Sequence, residues 1–318
     1  MSLPTVHVLF ENPAWMPPLE AALEAEGFAF QRHHVNEGVI DPTLPPPEGI
    51  WINRMSPSSH TRGHASAVPL MREWLQWLES WGRRVINGSA AFELEMSKLR
   101  QALALGRHGI RTPRTVMAVG RTALLEQAGT FEGPFITKHN RGGKGLGIQL
   151  FGSSEQLAEH LDSGDFDPGP SGLIVLQEYI APAEPFITRV EIVGDRFLFA
   201  MRSSTASGFE LCPSDACQAD AVPDVCPADG SAPEDKFQPD PMTADDPLVA
   251  PYIALMAAEK LDLAGIEFVT DDEGNRWTYD INGTTNYNAV LGAKIGVDGM
   301  RELARYLRRD VVSAVNAA

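Results

Sequence analysis

The sequence predicts an α/β fold that starts with a doubly wound, mostly parallel sheet. Apolar runs of strand length alternate with segments of helical periodicity over the first part of the chain. The predicted strands are residues 6–10, 28–32, 49–53 and 85–86, and the predicted helices are residues 17–26 and 69–81. Strands that alternate with helices form open parallel sheets, whose ligands bind at the carboxyl ends of the strands. We therefore expect a binding site where these strands end.

Composition excludes several classes of protein. The chain has 318 residues, 43% of them hydrophobic, and a formal net charge of −16. This length allows two or three domains, and the negative charge argues against a nucleic-acid surface. No apolar run is long enough to span a membrane and the N-terminus lacks a signal-peptide pattern, so we expect a cytoplasmic protein. The odd number of cysteines indicates reduced thiols rather than a disulfide framework, and these are Cys212, Cys217 and Cys226.

A glycine-rich loop between two short strands predicts a phosphate clamp. The stretch at residues 135–151 reads FITKHNRGGKGLGIQLF. Glycines let backbone N–H groups approach phosphate oxygens, and Lys138, on the entering strand, supplies a fixed positive charge. The loop is not a Walker A motif, because Lys144 precedes a glycine and no helix follows. The candidate contacts in the loop itself are Gly142, Gly143, Lys144 and Gly145, and the alternative is a flexible hairpin.

A second lysine starts a predicted helix. Ser97 is a suitable N-cap for a helix that continues to Arg107, which puts Lys98 at its first position. A cation there opposes the helix dipole by roughly 0.3–1 kcal/mol. An anion shared by Lys98 and the free N–H groups of the helix would remove this conflict. The alternative is a lysine that extends into solvent.

The end of a later strand is a candidate site for adenine. The apolar strand at residues 173–177 runs into Glu178, Tyr179 and Ile180, and a proline-containing segment follows. Such a segment offers backbone N–H and C=O groups with which adenine can pair. An ordinary buried strand end explains the same pattern.

Two acids and an amide occur on one predicted hairpin. Glu267 lies on its first strand, and Asp280 and Asn282 lie on its second. Because residues i and i+2 share a side of a strand, the three side chains can face the same way, with Ile281 turned into the core. Carboxylate and amide oxygens suit Mg²⁺ that is also held by phosphate and water. Taken singly, each acid would be interpreted as a surface residue.

Four arginines are candidates for contacts with a substrate. Arg54 and Arg62 follow a predicted strand of the first sheet, and a guanidinium matches a carboxylate with two parallel hydrogen bonds. A solvated loop with incidental charge is the alternative. Arg189 and Arg202 lie one strand apart on a predicted hairpin. Residues 203–246, rich in Ala, Asp, Pro and Ser, are interpreted as a substrate loop or an insertion.

The order of these features resembles the ATP-grasp superfamily and, within it, the RimK-type carboxylate–amine ligases. The order is Lys98, Lys138 with its glycine loop, the QEYI segment, the paired arginines, and Glu267 followed by Asp280-Ile-Asn282. The resemblance covers roughly residues 54–296. It implies an ATP-grasp fold with an N-terminal α/β domain at residues 1–90, a central subdomain at 91–182 and a C-terminal subdomain at 183–318.

The resemblance also implies an ADP-forming ligase reaction. The γ-phosphoryl group of ATP passes to a small-molecule or peptide carboxylate, and an amine then attacks the acyl phosphate to give an amide or peptide bond. By this likeness the residues divide into phosphate contacts (Lys98, Lys138), adenine contacts (Glu178, Tyr179, Ile180), a ribose contact (Glu184), ligands of two Mg²⁺ ions (Glu267, Asp280, Asn282) and oxyanion contacts (Arg189, Arg202). An ATP-binding regulatory or scaffold protein with weak catalysis is the alternative.

Several positions depart from the pattern of these ligases. The metal acids occur as Glu and then Asp, where the family usually has Asp and then Glu. Ile187 and Thr188 stand where RimK-type ligases carry an acid, and Leu211-Cys212-Pro213 replaces a segment that often includes Asn. Because the last two changes lie towards the acceptor site, the resemblance does not imply a preference for glutamate.

Overall fold

Three sheets organise the protein in the computed structural model, which describes residues 3–143, 145, 147–205 and 236–317. The strands are β1 Val6–Phe10, β2 Phe30–His34, β3 Ile50–Arg54, β4 Arg84–Ile86, β5 Thr115–Ala118, β6 Phe135–His139, β7 Gln149–Phe151, β8 Ile174–Glu178, β9 Phe186–Val193, β10 Arg196–Ser204, β11 Phe237–Pro239, β12 Leu263–Thr270 and β13 Arg276–Asn282. The helices are α1 Met16–Ala25, α2 Ala67–Ser80, α3 Ser89–Glu95, α4 Lys98–Arg107, α5 Arg121–Ala128, α6 Ser154–Ser163, α7 Val249–Ala258, α8 Ala289–Ile295 and α9 Gly299–Ala317. Within the described residues, none of these helices has the length and apolar character needed to cross a membrane.

The first sheet has the strand order β2-β1-β3-β4, and every neighbouring pair runs parallel, as predicted. Val8 and Leu9 are both buried because successive residues of β1 point to opposite faces. Val8 packs in a cluster with α1 and α9, and Leu9 packs in another with α2. The strand β2 starts two residues later than predicted, because the Phe28 N–H closes the end of α1 on Leu23 O (2.9 Å). Helices thus cover both faces and leave the carboxyl ends of β1 and β3 for a site.

The second sheet has the order β5-β8-β6-β7 and is antiparallel. The glycine loop joins β6 to β7, as the sequence predicts. The four-residue strand β5 was not predicted, because so short a segment shows no clear alternation. Pairing of β6 with β8 places Lys138 opposite Val175, and Phe135 opposite Glu178, where the candidate adenine segment begins.

The third sheet has the order β11-β10-β9-β12-β13 and contains the hairpin that carries the predicted metal ligands. Its strands are antiparallel, and Glu267 lies opposite both Arg189 of β9 and Asp280 of β13. Ile266 and Ile281 are fully buried on the back of this sheet, where they pack against α4 and α7. The prediction that Ile281 turns into the core is therefore confirmed.

Candidate functional site

A cavity of about 280 Å³ lies where the three sheets meet. Its walls come from the carboxyl ends of β1 and β3, the glycine loop, the end of β8 and the hairpin of β12 and β13. The predicted site residues that line it are Lys98, Lys138, Gly142, Gly143, Gly145, Glu178, Tyr179, Ile180, Arg189, Glu267, Asp280 and Asn282. The other predicted residues with described positions, Arg54, Arg62, Glu184 and Arg202, do not line it. Lys144 and the three cysteines, Cys212, Cys217 and Cys226, lie outside the described residues.

Lys98 is held at the start of α4 and ion-pairs with Asp280. Ser97 caps the helix as predicted, since its Oγ accepts from Arg100 N at 3.3 Å. The N–H groups of Lys98 and Leu99 donate to the backbone and side-chain oxygens of Asn140 at 2.9 and 3.1 Å. The prediction of free N–H groups at this helix end is therefore wrong, because Asn140 occupies them. The ammonium of Lys98 instead donates to Asp280 Oδ1.

Lys138 is buried and is not the fixed charge that the sequence suggests. Its Nζ donates to Gln177 Oε1 at 2.9 Å, and Gln177 Nε2 donates to Thr115 Oγ1 at 2.8 Å. Burial, and then the charge of Lys98, lower the pKa of Lys138 to about 7. The lysine therefore takes up or releases a proton near neutral pH, according to what lies beside it.

Glu267 and Asp280 face each other inside the cavity. Glu267 accepts from Arg189 Nη1 (2.8 Å) and from the Tyr279 hydroxyl (3.2 Å). Burial, and then the charge of Asp280, raise the pKa of Glu267. Burial alone would raise the pKa of Asp280 too, but Lys98 and Lys138 hold it below its ordinary value. The two acids thus depend on nearby cations to stay ionised.

Asn282 completes the donor set on this face. It lies opposite Gly265, two residues along from Asp280, and its Nδ2 donates to Gly265 O at 3.4 Å. Its Oδ1 is therefore the atom left for a ligand. Within the described ranges no three His, Cys, Asp or Glu side chains form a metal-binding cluster. A hard cation here would take Asn282, phosphate or water oxygens beside the two carboxylates, which is the kind of donor set that Mg²⁺ accepts.

The structure separates the two arginines predicted to act together. Arg189 pairs in register with Met201, and Arg202 pairs with Thr188, so their side chains point to opposite faces of the sheet. Arg189 points into the cavity and donates from Nε to Glu191 Oε1 at 2.7 Å. Arg202 donates to Asp240 Oδ2 at 3.0 Å on the other face. The expected joint oxyanion contact is therefore wrong for Arg202.

Arg54 and Arg62 already have partners inside the protein. Arg54 is buried, and its Nη1 donates to Thr285 O at 2.7 Å. Arg62 binds the buried carboxylate of Glu11 through both Nε (2.9 Å) and Nη2 (2.5 Å). Neither guanidinium is free to bind a substrate carboxylate as the sequence predicts, because each is hydrogen-bonded to a distant segment of the chain.

The candidate adenine segment retains one main-chain donor. Glu178 N donates to Arg114 O at 2.9 Å, and Tyr179 N donates to Pro134 O at 3.0 Å. Among the three residues, Ile180 alone has an N–H without a hydrogen bond to the described part of the chain. Glu184, further along, is largely exposed and lies 3.7 Å from Arg202.

Several lining residues were not singled out from the sequence. Trp15 follows β1 and carried no signal beyond its position near a strand end. Glu95 ends α3 and accepts from Thr284 N and Oγ1, both at 3.0 Å, and burial raises the pKa of Glu95 to about 7. Asn286 lies four residues after the last predicted metal ligand, in a polar run that resembled an ordinary loop.

Residues 96–210 match the family model of the RimK-like ATP-grasp domain. A probable alpha-L-glutamate ligase 2 of Shewanella frigidimarina is 28% identical over 135 residues, which are 42% of this chain and 44% of that protein. The ribosomal protein bS6–L-glutamate ligase of Shigella flexneri is 30% identical over 138 residues, again 42% and 44% of the two chains. The chain thus spans less than half the length of these curated relatives.

Solved structures are similar along nearly the whole chain. A RimK domain ATP-grasp protein from Sphaerobacter thermophilus superposes with a TM-score of 0.67 at 15% identity, covering 95% of this chain and 98% of that one. D-alanyl-alanine synthetase A from Vibrio cholerae gives a TM-score of 0.68 at 13% identity, with 98% of each chain covered. The ATP-grasp ligase PsnB in complex with a minimal precursor gives 0.65 at 15% identity, with 97% and 99% covered. At these identities the similarity establishes the fold.

Proposed function

We propose that the protein is an ADP-forming carboxylate–amine ligase of the ATP-grasp superfamily, because residues 96–210 match the RimK-like ATP-grasp domain and a solved ATP-grasp protein shares the fold. Two lysines and two carboxylates from three distant segments meet in one cavity, and this observation carries the proposal. Lys98 ion-pairs with Asp280, and Glu267 lies opposite Asp280 on the neighbouring strand. Lys138 is close enough to interact electrostatically with both acids. Such a set matches a polyanionic nucleotide with its counter-ion.

The proposed reaction has two steps. An oxygen of the substrate carboxylate takes the γ-phosphoryl group, and ADP leaves. The nitrogen of an amine then attacks the acyl carbon, loses a proton, and phosphate departs as the amide forms. No side chain of the protein becomes covalently attached in either step.

We propose that separate groups of residues bind the phosphates and the nucleoside of ATP. Lys98, Lys138 and the glycine loop, including Lys144, hold the phosphates. Adenine pairs with the Glu178–Ile180 segment, and Glu184 contacts the ribose. Arg189 lies beside the acids and would stabilise the negative oxygen that develops at the acyl carbon. We omit Arg202 from this role, because it lies on the other face of the sheet.

Proteins of this family use ATP and Mg²⁺, and the donor set in this cavity fits that ion. Two buried carboxylates face each other, and each charge disfavours ionisation of the other unless a cation is near. We propose that Glu267, Asp280 and Asn282 hold two Mg²⁺ ions. Bound there, Mg²⁺ offsets charge on the phosphoryl group during its transfer. Lys98 and Arg189, which neutralise the acids now, would then be released towards phosphate and substrate oxygens.

The substrates are proposed to be a small-molecule or peptide carboxylate and an amine. The named relatives differ in what they join: one acts on a ribosomal protein, and another structure is a D-alanyl-alanine synthetase. An array of amino acids and dipeptides, incubated with Mg-ATP, tests the proposal through ADP formation and mass spectrometry of the product. We expect ADP in proportion to a product whose mass is the sum of two substrates less one water. Tight Mg-ATP binding with slow ADP release in every mixture would favour a regulatory ATP-binding protein instead.

A further inference from the structure

The loop at residues 283–287, directly after β13, is anchored to the first sheet. Asn87, which follows β4, donates to Gly283 O at 2.7 Å. Arg54 at the end of β3 donates to Thr285 O at 2.7 Å. The Thr284 hydroxyl, which donates to Glu95, also places its oxygen 3.0 Å from Met55 O. The conformation of this loop is therefore set by residues more than 170 positions earlier in the chain.

Arg54 also determines how the side chain of Asn286 is oriented. Its Nη2 donates to Asn286 Oδ1. A guanidinium has only donors, so the amide oxygen must face Arg54, and the amide NH₂ is left on the other side. Asn286 lines the cavity, and within the described part of the chain its Nδ2 has no hydrogen-bond partner. The cavity is thus presented with a hydrogen-bond donor at this point.

The surroundings hold this arrangement firmly. Arg54 is only 2% exposed, so the guanidinium cannot turn towards water. Thr285 Oγ1 donates to Glu191 Oε1 at 3.0 Å, and the same carboxylate oxygen accepts from Arg189. Tyr287 has φ +47°, a left-handed conformation that is strained for a residue with a side chain. Strain of this kind persists where neighbouring contacts over-determine the backbone, and it clusters at functional sites.

We propose that Asn286 determines specificity by donating from Nδ2 to an oxygen of the substrate carboxylate, and that Arg54 is its positioning residue. This inference rests on the proposed ligase function and adds a residue to it. A donor at this point suits a carboxylate or acyl phosphate oxygen and disfavours an ammonium group. Arg54 thereby serves the substrate through Asn286, not through direct contact.

Asn286→Asp separates specificity from loop position. Its carboxylate still accepts from Arg54, so the loop stays anchored, but the donor facing the cavity becomes a negatively charged acceptor. The readout is calorimetric binding of each amino acid and dipeptide in the array, with Mg-ADP present so that turnover is not needed. We expect carboxylate binding to weaken at least about tenfold, equivalent to the loss of one good hydrogen bond. Mg-ADP should still bind, so that carboxylate affinities are compared in the same complex, and the melting temperature should stay unchanged.

Asn36→Asp is the matched control, because Asn36 is half-buried in the first domain and does not line the cavity. It should bind every compound as the native protein does. Equal carboxylate affinity in Asn286→Asp and the native protein would overturn the inference, and so would a native protein that binds no carboxylate in the array. Failure of ADP formation with binding intact would instead overturn the ligase proposal alone.

Arg54→Lys tests the positioning role. Lysine offers one ammonium where the guanidinium reaches two oxygens, so we expect Asn286 to lose its orientation and carboxylate binding to weaken in a folded protein. Combining Arg54→Lys with Asn286→Asp should weaken binding little beyond Asn286→Asp alone, because both changes remove the same donor. Fully additive losses would show that Arg54 acts independently of Asn286, and would overturn that part of the inference.

Discussion

The ammonium of Lys98, the first residue of α4, forms an ion pair in the cavity with the carboxylate of Asp280 on β13. Each group is mostly buried, with 10% and 18% of the side chain exposed. Burying two charges is costly, and their pairing offsets that cost only while both remain. In the proposed complex, a phosphate group would bind Lys98 and the metal ion would bind Asp280. Nucleotide binding would therefore replace this ion pair with two new ones.

Asp280→Asn should leave the fold intact and sharply reduce phosphoryl transfer. The amide keeps the shape and an acceptor for Lys98, but it removes one of two negative charges from the proposed Mg²⁺ site. We expect ADP formation to fall by about 100-fold or more, and the Mg²⁺ concentration needed for half-maximal activity to rise. Melting temperature, magnesium dependence and ADP formation would be measured together.

Asp272→Asn provides the control for Asp280→Asn. Asp272 lies in the exposed turn of the same hairpin, so the same chemical change occurs outside the cavity. It should behave as the native protein does. Similar activity in the two variants would remove the metal assignment.

Lys138→Met should weaken ATP binding far more than adenosine binding. Only the phosphate tail loses a charged partner, and a hydrogen bond to a charged group contributes roughly 1.5–3 kcal/mol, or about 10–100-fold in affinity. Calorimetry with both ligands measures this difference. Lys294→Met, at an exposed position of α8, is the control. An equal loss for ATP and adenosine would indicate a folding defect.

ATP binding should take up protons above neutral pH. The pKa of Lys138 is about 7 in the free protein, since burial disfavours its charge. Bound phosphate favours the charged form and raises this pKa, so the complex holds more protons than the free protein above pH 7. Affinity for Mg-ATP should therefore fall as the pH rises through that range. Calorimetry in two buffers of different ionisation enthalpy would detect the uptake, and Lys138→Met should abolish it.

The histidine pair of the first sheet should make stability depend on acid pH. His7 Nδ1 and His33 Nε2 lie 3.0 Å apart, and both rings pack on Trp51. Burial, and then the charge of His7, lower the pKa of His33 to about 4 from its ordinary 6.5. The neutral pair therefore stabilises the fold above pH 6.5, and this stability is lost as the pH falls towards 4.

Denaturant unfolding at several pH values between 7 and 4 would test this. The decline in the free energy of unfolding should be shallower in His33→Gln, which keeps a polar side chain but does not titrate. Parallel curves for the two proteins would assign the acid sensitivity to other groups.

Lys260→Gly should stabilise the protein. Lys260 follows α7 with φ +59°, and the next N–H, of Leu261, donates back to Met256 O at 2.8 Å to end the helix. Glycine adopts this left-handed conformation without strain, so we expect a gain of about 1 kcal/mol in the free energy of unfolding. Lys260→Ala keeps the strain and should change stability by less than about 0.5 kcal/mol. A gain in both variants would attribute the effect to the lost charge.

The shared face of Asp280 and Asn282 could be predicted because its signal is local. Strand alternation places Asp280 and Asn282 on one face whatever the rest of the fold does. Their alignment with Glu267 depends on a β-bulge between Glu267 and Phe268, which shifts the register by one residue. Without it, the turn would place Tyr279 opposite Glu267. In that register Tyr279 would share a face with Glu267 in place of Asp280, so strand alternation alone could not predict that the two acids face each other.

The separation of Arg189 and Arg202 could not be predicted, because it too depends on a β-bulge. A simple hairpin around residues 194–195 would place Arg202 opposite Ile187, on the face of Arg189. A bulge between Phe197 and Phe199 adds one residue and turns Arg202 to the other face. No residue pattern in these apolar strands indicates the bulge. Contacts between distant segments, such as Asn140 at the start of α4, are equally hidden from local patterns.

Two of the anchors on the 283–287 loop grip main-chain oxygens, at Gly283 and Thr285. Every amino acid has a main-chain carbonyl, so these two hydrogen bonds do not depend on the side chains at the accepting positions. Position 286 can then vary in chemistry while its place in the cavity is retained. If the proposed ligase activity is confirmed, a library of substitutions at this single position would test new substrates on an unchanged scaffold.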